Sequence, residues 1–214
     1  KKSKSGHSSY IFPFTVSQFC WNYSIGKYFD SNGMNEFVYP VINGFFGARA
    51  VTEYTDMQFI LIARKDDRRS GMRFLIRGAD TNGNTANSVE NEEILIYTDN
   101  ENIHILSFIQ IRGSIPIMWS QEPCLKLNPP IVPVDDFGKN LSVFKLHIEE
   151  LFDNYDNICC VNLIDKKGDQ KIIGDYYNGI IKNYKEVNKD NAKSLDFCWF
   201  DFHDKCKGMK YENI

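Results

Sequence analysis

Between residues 37 and 126 the apolar positions come in short runs, rich in aromatic and β-branched side chains and separated by turn-forming residues, and this pattern predicts strands. The predicted strands are residues 37–51, 57–63, 72–76, 94–97 and 103–111, joined as an antiparallel meander. The charged stretch Lys65-Asp66-Asp67-Arg68-Arg69-Ser70-Gly71 reads as a hairpin loop, and Asp80-Thr81-Asn82-Gly83-Asn84 contains an Asn-Gly turn. The pattern changes at Asn128-Pro129-Pro130-Ile131-Val132-Pro133, whose three prolines remove three donors and fix φ, so it belongs to no central strand or helix interior. Beyond it Phe137, Leu141, Phe144, Ile148, Leu151 and Tyr155 recur at steps of four and three, predicting a helix capped by Asp135 or Asp136. Residues 157–165 form a short buried-type strand. Ile172, Tyr176, Ile180 and Tyr184 then step by four into a second helix, at about 1 kcal/mol relative to alanine for each of Gly174 and Gly179. Residues 195–202 are a second buried-type strand. Helix, strand, helix, strand makes a crossover unit, so these two strands are predicted to be parallel neighbours. The fold class is therefore α/β (α+β), a mixed sheet with an antiparallel meander first and a helix–strand crossover after it.

Ahead of the meander, residues 1–9 read as a linker or loop edge. Residues 10–35 carry Phe12, Phe14, Phe19, Trp21, Tyr23, Tyr28 and Phe29 at spacings that switch too often for one helix or strand; they form a packing segment that needs a neighbour. The 214 residues, 43% hydrophobic and 25% charged, exclude disorder as the main state and bury a sizeable core without staples. A net charge of -3 excludes a protein that holds nucleic acid by bulk positive charge. No run reaches the eighteen or so apolar residues of a membrane span. The six cysteines, Cys20, Cys124, Cys159, Cys160, Cys198 and Cys206, are too sparse for a disulfide framework and read as reduced, buried thiols. The chain begins at Lys1 rather than at a methionine, which reads as a segment of something longer.

Candidate chemistry is sparse. There is no Walker pattern, and no Gly-x-Gly-x-x-Gly opens a helix, so nucleotide binding has no support. Cys198, His203 and Cys206 stand in a C-x4-H-x2-C spacing that matches no usual zinc pattern; Cys198 reads as a small core residue, and no metal or other cofactor is expected. His203 follows Asp201 at the carboxyl end of the last strand, where ligands gather in open sheets; it reads either as a satisfied polar histidine or as a group facing a ligand. Arg64, Lys65, Arg68, Arg69, Arg73 and Arg77 stand against Asp66 and Asp67. This stretch reads either as a solvated hairpin tip or, through Arg64, Lys65, Arg68 and Arg69, as a surface facing acidic lipid headgroups.

Three segments go beyond spacing: RFLIRGADTNGNTANSVENEE at residues 73–93, SFIQIRGSIPIMWSQ at 107–121 and FDFHDKCKGMKYEN at 200–213. In this order and at similar separation they resemble consecutive motifs of the Sac-domain phosphoinositide phosphatases, and the likeness takes in PVINGFFG at 40–47 and CVNLIDKKG at 160–168. The resemblance implies an N-terminal β-rich domain followed by a catalytic α/β domain, of which residues 1–35 are the tail or linker of the first and 36–214 the front half of the second. It implies phosphate removal from phosphatidylinositol phosphates, without a metal, through a cysteinyl-phosphate formed at a Cys-x5-Arg loop, whose backbone N–H groups and arginine hold the phosphoryl oxygens. Six residues after the cysteines, however, stand Gly26, Pro130, Asp165, Lys166, Asp204 and Glu212, so no such loop exists in the sequence. The family places it downstream of the FDFH motif, and the chain is read as ending before it and as inactive alone.

What the resemblance leaves are supporting positions: Arg77, Asn87, Glu90, Arg112, Trp119, Asp201 and His203 match family motifs, either as parts of the site or as ties between strands and loops. The implied partners are phosphoinositide lipids at the cytoplasmic face of a membrane, bound peripherally, with no nucleic acid and with any regulatory protein partner unspecified. A non-catalytic phosphoinositide-binding or scaffold module is the alternative, and an ordinary cytosolic interaction domain a third reading.

Overall fold

The computed structural model describes residues 16–51, 57–99, 102–125, 128–188, 194–210 and 212. The predicted linker at residues 1–9, with Phe12 and Phe14, lies outside them. The chain divides into two compact units, one of Lys1–Arg68 with Ser88–Arg112, the other of Arg69–Asn87 with Gly113–Ile214.

In the first unit a helix, α1 (Tyr23–Ser31), precedes four strands, β1 (Gly44–Ala50), β2 (Met57–Lys65), β3 (Val89–Asp99) and β4 (Asn102–Arg112). They form one antiparallel sheet in chain order, with Phe46 opposite Ile62, Ile62 opposite Glu92 and Glu92 opposite Ile109. The expected meander is present. The packing segment before it folds as short helical turns around buried Cys20 and Val38, against which Tyr23 and Phe29 pack.

Two sequence expectations fail here. Residues 72–76 are a turn and not a strand, with Phe74 at φ 72°. The charged stretch after β2 is not a hairpin tip either, because 23 residues separate Lys65 from Val89, which pair directly, and residues 69–87 belong to the other unit. At the base of this excursion the Asp66 N–H donates to Ser88 O at 2.9 Å, and the Asp66 carboxylate is buried against the Arg68 guanidinium at 2.6 Å. A buried carboxylate with a charged partner fixes the chain's exit from β2.

In the second unit β5 (Trp119–Gln121) and β6 (Ile131–Pro133) pair antiparallel, and because both are edge strands the proline costs no ladder bond. Then follow α2 (Phe137–Asn154), β7 (Asn157–Asn162), α3 (Gly168–Val187), β8 (Ser194–Trp199) and the short α4 (Phe202–Lys205). Asp136 caps α2, its carboxylate accepting from the Lys139 N–H at 2.9 Å. β7 and β8 run parallel, Cys160 opposite Phe197, as the crossover requires. Antiparallel and parallel pairs lie in separate sheets among the described residues.

The core of this unit joins Phe144, Ile148 and Phe152 of α2 to Ile173, Tyr177, Ile180, Ile181 and Tyr184 of α3, with Leu195 of β8. Phe144 meets Tyr177 and Tyr184 edge-on, with ring centres 6.0 and 5.6 Å apart. Gly174, costly inside a helix, is explained by packing: a Cβ there would stand 2.3 Å from Cζ2 of Trp199. Neither parallel strand is buried on both sides. Their residues alternate, leaving Cys159, Val161 and Cys198 exposed, so the reading of Cys198 as a core residue is corrected. The runs Ile158–Val161 and Phe197–Trp199 are apolar at successive positions, but the helices cover only one face of this pair among the described residues.

Candidate functional site

Because β7 and β8 are parallel neighbours, the loops that follow them leave the same end of the sheet. Asp201, just past β8, is buried and ties the two loops together. One carboxylate oxygen accepts from the Lys166 N–H at 2.9 Å and the other from the Asp204 N–H at 2.9 Å, which also caps α4. These two backbone donors hold the Asp201 carboxyl below the usual aspartate range. With one backbone donor on each oxygen, Asp201 anchors the site and is a weakened base.

His203 stands on the exposed side of this anchor. Its Nδ1 lies 2.6 Å from Oδ1 of Asp165, which stands three residues past β7 as Asp201 stands two past β8. That hydrogen bond, with the carboxylate's charge, raises the imidazole pKa. Asp165 is itself steadied by Gln170, whose Nε2 donates to Oδ2 at 3.2 Å. Trp199 donates its indole N–H to Ile164 O at 2.9 Å, and Lys166 Nζ stands 5.7 Å from the centre of its ring. Beside them a cavity of about 650 Å³ is lined by Phe200, Asp204, Lys205, Lys207 and Lys210. A histidine whose pKa is raised and three lysines at one sheet end suit an anionic ligand, and the imidazole, when protonated, carries a proton that can be donated.

A second group gathers around Arg77. Its Nε donates to Oε1 of Gln121 at 3.0 Å, and its guanidinium lies over Trp119 at 5.6 Å and over Phe74 at 5.2 Å. Gly78 brings the chain past β5 so tightly that a Cβ would meet Ile117 O and Trp119 N at 2.7 Å, at a φ of +62° that favours glycine. Asn87, at φ 54°, accepts from the Gly71 N–H at 3.2 Å.

The structure thus joins Arg77 with Trp119, and Asp201 with His203. Asn87 lies in the same unit as these, and Glu90 and Arg112 belong to the other. Glu90 is buried in the antiparallel sheet as the ion-pair partner of Arg64, and Arg112 stands exposed at the end of β4, opposite Val89. Of the basic stretch, Arg64 lies over Phe19, Lys65 over Trp21, Arg68 holds Asp66, and Arg69 donates to Arg77 O at 2.8 Å. These four side chains make contacts at the base of the excursion, where Arg68 is exposed.

The sequence reading passed over Asp165, although an aspartate just beyond each of two parallel strands was visible in it. Cys160, a notional nucleophile, is pushed up in pKa by burial, the opposite of what a reactive thiolate needs. Among the described residues, no three His, Cys, Asp or Glu side chains stand close enough to hold a metal ion, and no helix is long and apolar enough to cross a membrane.

A family model described as the SacI homology domain matches residues 1–207. Human phosphatidylinositide phosphatase SAC2 is 42% identical over 154 residues, 72% of this chain and 13% of that protein. Phosphatidylinositol-3-phosphatase SAC1 of Saccharomyces cerevisiae is 32% identical over 185 residues, 85% of this chain and 28% of that one. Phosphatidylinositol-3-phosphatase SAC1-B of Danio rerio is 31% identical over 207 residues, 92% and 32%. The chain spans about a third or less of the length of these relatives. With a match along nearly all its residues, the chain belongs to the Sac-domain phosphoinositide phosphatase family.

Proposed function

We propose that this chain is the part of a phosphoinositide phosphatase that frames the substrate's phosphates, residues 36–214 forming the front half of the catalytic domain, while the cysteine nucleophile lies in another part of the protein. The observation that carries the reading is the cationic sheet end of β7 and β8, in a family whose named relatives are phosphatidylinositol phosphatases. Asp201 fixes the two loops, Asp165 favours the protonated form of His203, and the lysines draw the headgroup in. His203 is suited to donating a proton to the leaving inositol oxygen as the phosphoryl group moves to a thiolate elsewhere. Around Arg77, Asn87 shapes the loop and Trp119 supports the guanidinium. The protein would work peripherally at the cytoplasmic face of a membrane, on a lipid substrate and without a metal.

The test is phosphate release from vesicles containing phosphatidylinositol phosphates. The 214-residue chain should give none above a heat-killed control, since no cysteine in it is followed by the required arginine. The full-length protein should turn over, and His203→Gln should lower its kcat. A full-length protein that binds these vesicles without turnover would instead be the non-catalytic lipid-binding module.

A further inference from the structure

Residues 71–77 read Gly-Met-Arg-Phe-Leu-Ile-Arg, and the structure builds them into a closed turn in which the Ile76 N–H donates to Met72 O at 3.1 Å. The neck of the turn is fixed from both sides: Arg69 donates to Arg77 O at 2.8 Å, and Asn87 accepts from Gly71 and donates its own N–H to Arg69 O at 3.0 Å. On this fixed base Met72 is 71% exposed and Leu75 57% exposed. Arg73 and Arg77 flank the pair, their guanidinium groups 4.8 and 5.2 Å from the centre of the Phe74 ring. Neither arginine has a carboxylate within ion-pair distance among the described residues, in a chain whose net charge is -3. The Arg77 pKa is lowered by burial and by the charge of Arg73, so the two cations sit close enough to oppose each other.

We propose that this turn is a membrane-docking surface that seats Met72 and Leu75 among the headgroups of an anionic bilayer, with Arg73 at the lipid phosphates and Arg77 adding to the attractive field. Charge complementarity selects the occupant. Two guanidinium groups without an ion pair among the described residues favour anions, and two apolar side chains presented on the same turn favour an apolar layer next to those anions. A bilayer surface supplies both at adjacent depths. The choice of a lipid occupant rests on the phosphoinositide reading above, and it moves the membrane face away from Arg64, Lys65, Arg68 and Arg69, which the fold itself uses.

The test is co-sedimentation of the full chain with phosphatidylcholine vesicles, with and without about 30% phosphatidylserine, chosen to give a strongly anionic surface. Wild-type chain should bind the anionic vesicles and not the neutral ones. Arg73→Ala should weaken binding about fivefold, an effect that disappears in high salt. Met72→Ser with Leu75→Ser should weaken it about tenfold at any salt, with thermal melts unchanged for all variants. The Leu75→Trp variant should show fluorescence quenching by acyl-brominated lipid beyond what the native tryptophans show. Wild-type binding by the double serine variant, no extra quenching, or capture only by an acidic protein would overturn the proposal. The vesicles hold no phosphoinositide and no turnover is read, so failure here leaves the phosphatase reading standing, and absence of phosphate release leaves this surface standing.

Discussion

The two units treat the same kind of residue in opposite ways. In the helix-and-strand unit Phe144, Ile148 and Ile180 are fully buried, because α2 and α3 lay their apolar faces against each other and against β8. In the antiparallel sheet, strict register puts Phe46, Ile103 and Ile105 on one face and Phe45, Leu106 and Phe108 on the other, and all six are exposed. Alternation along a strand creates an apolar face, but burial needs a second layer, and only the helical unit supplies one among the described residues. Stability in this chain is therefore concentrated in the unit that also carries the candidate site.

The sharpest break of that comparison is a pair of equal truncations. Phe144→Ala should cost about 3–5 kcal/mol, because it empties a closed space among Tyr177 and Tyr184. Phe108→Ala, at 59% exposure, should cost under about 1 kcal/mol. Urea unfolding followed by circular dichroism measures both, and similar costs would mean that the sheet has a covered core after all.

Gly174→Ala sharpens the same contrast inside the helical unit. On propensity alone it should stabilise α3 by about 1 kcal/mol. Since the new methyl would sit within 2.3 Å of the Trp199 ring, the net result should be a loss of about 1–3 kcal/mol. A gain in melting temperature would show that α3 and β8 have slack between them.

The smallest effect belongs to the exposed His203–Asp165 pair. Its imidazole pKa is raised, so the pair's contribution is complete below the ordinary histidine value and is lost as pH rises through the folded one. Asp201 runs the other way, contributing above the ordinary aspartate range and losing its part as pH falls through its depressed value. An NMR titration should put the His203 midpoint above that of a free histidine, and Asp165→Asn should return it to the ordinary value. An unmoved midpoint in the variant would remove Asp165 from the site.

The crossover was legible because helical periods at Phe137–Tyr155 and Ile172–Tyr184 alternate with compact apolar runs, and each of those elements formed. The destination of residues 69–87 was not, because charge and turn residues after a strand look alike whether the chain reverses at once or departs to another unit. Partnering decided the rest. The Asp66–Arg68 pair spans two residues, but nothing local in Arg64 or Arg69 shows that Glu90 and Arg77 O will accept from them. At the sheet end, Asp201 and His203 were readable from position, whereas the role of Asp165 depends on how the two loops fold against each other.

On the function proposed above, this chain supports phosphoryl transfer whose nucleophile lies elsewhere in the protein. The direct measurement is to quench the full-length protein during turnover of a phosphatidylinositol phosphate and locate the phosphocysteine by mass spectrometry. The account predicts the phosphoryl group on a Cys-x5-Arg cysteine outside these 214 residues, accumulating differently when His203 is replaced by glutamine. Phosphate on Cys20, Cys124, Cys159, Cys160, Cys198 or Cys206 would contradict it.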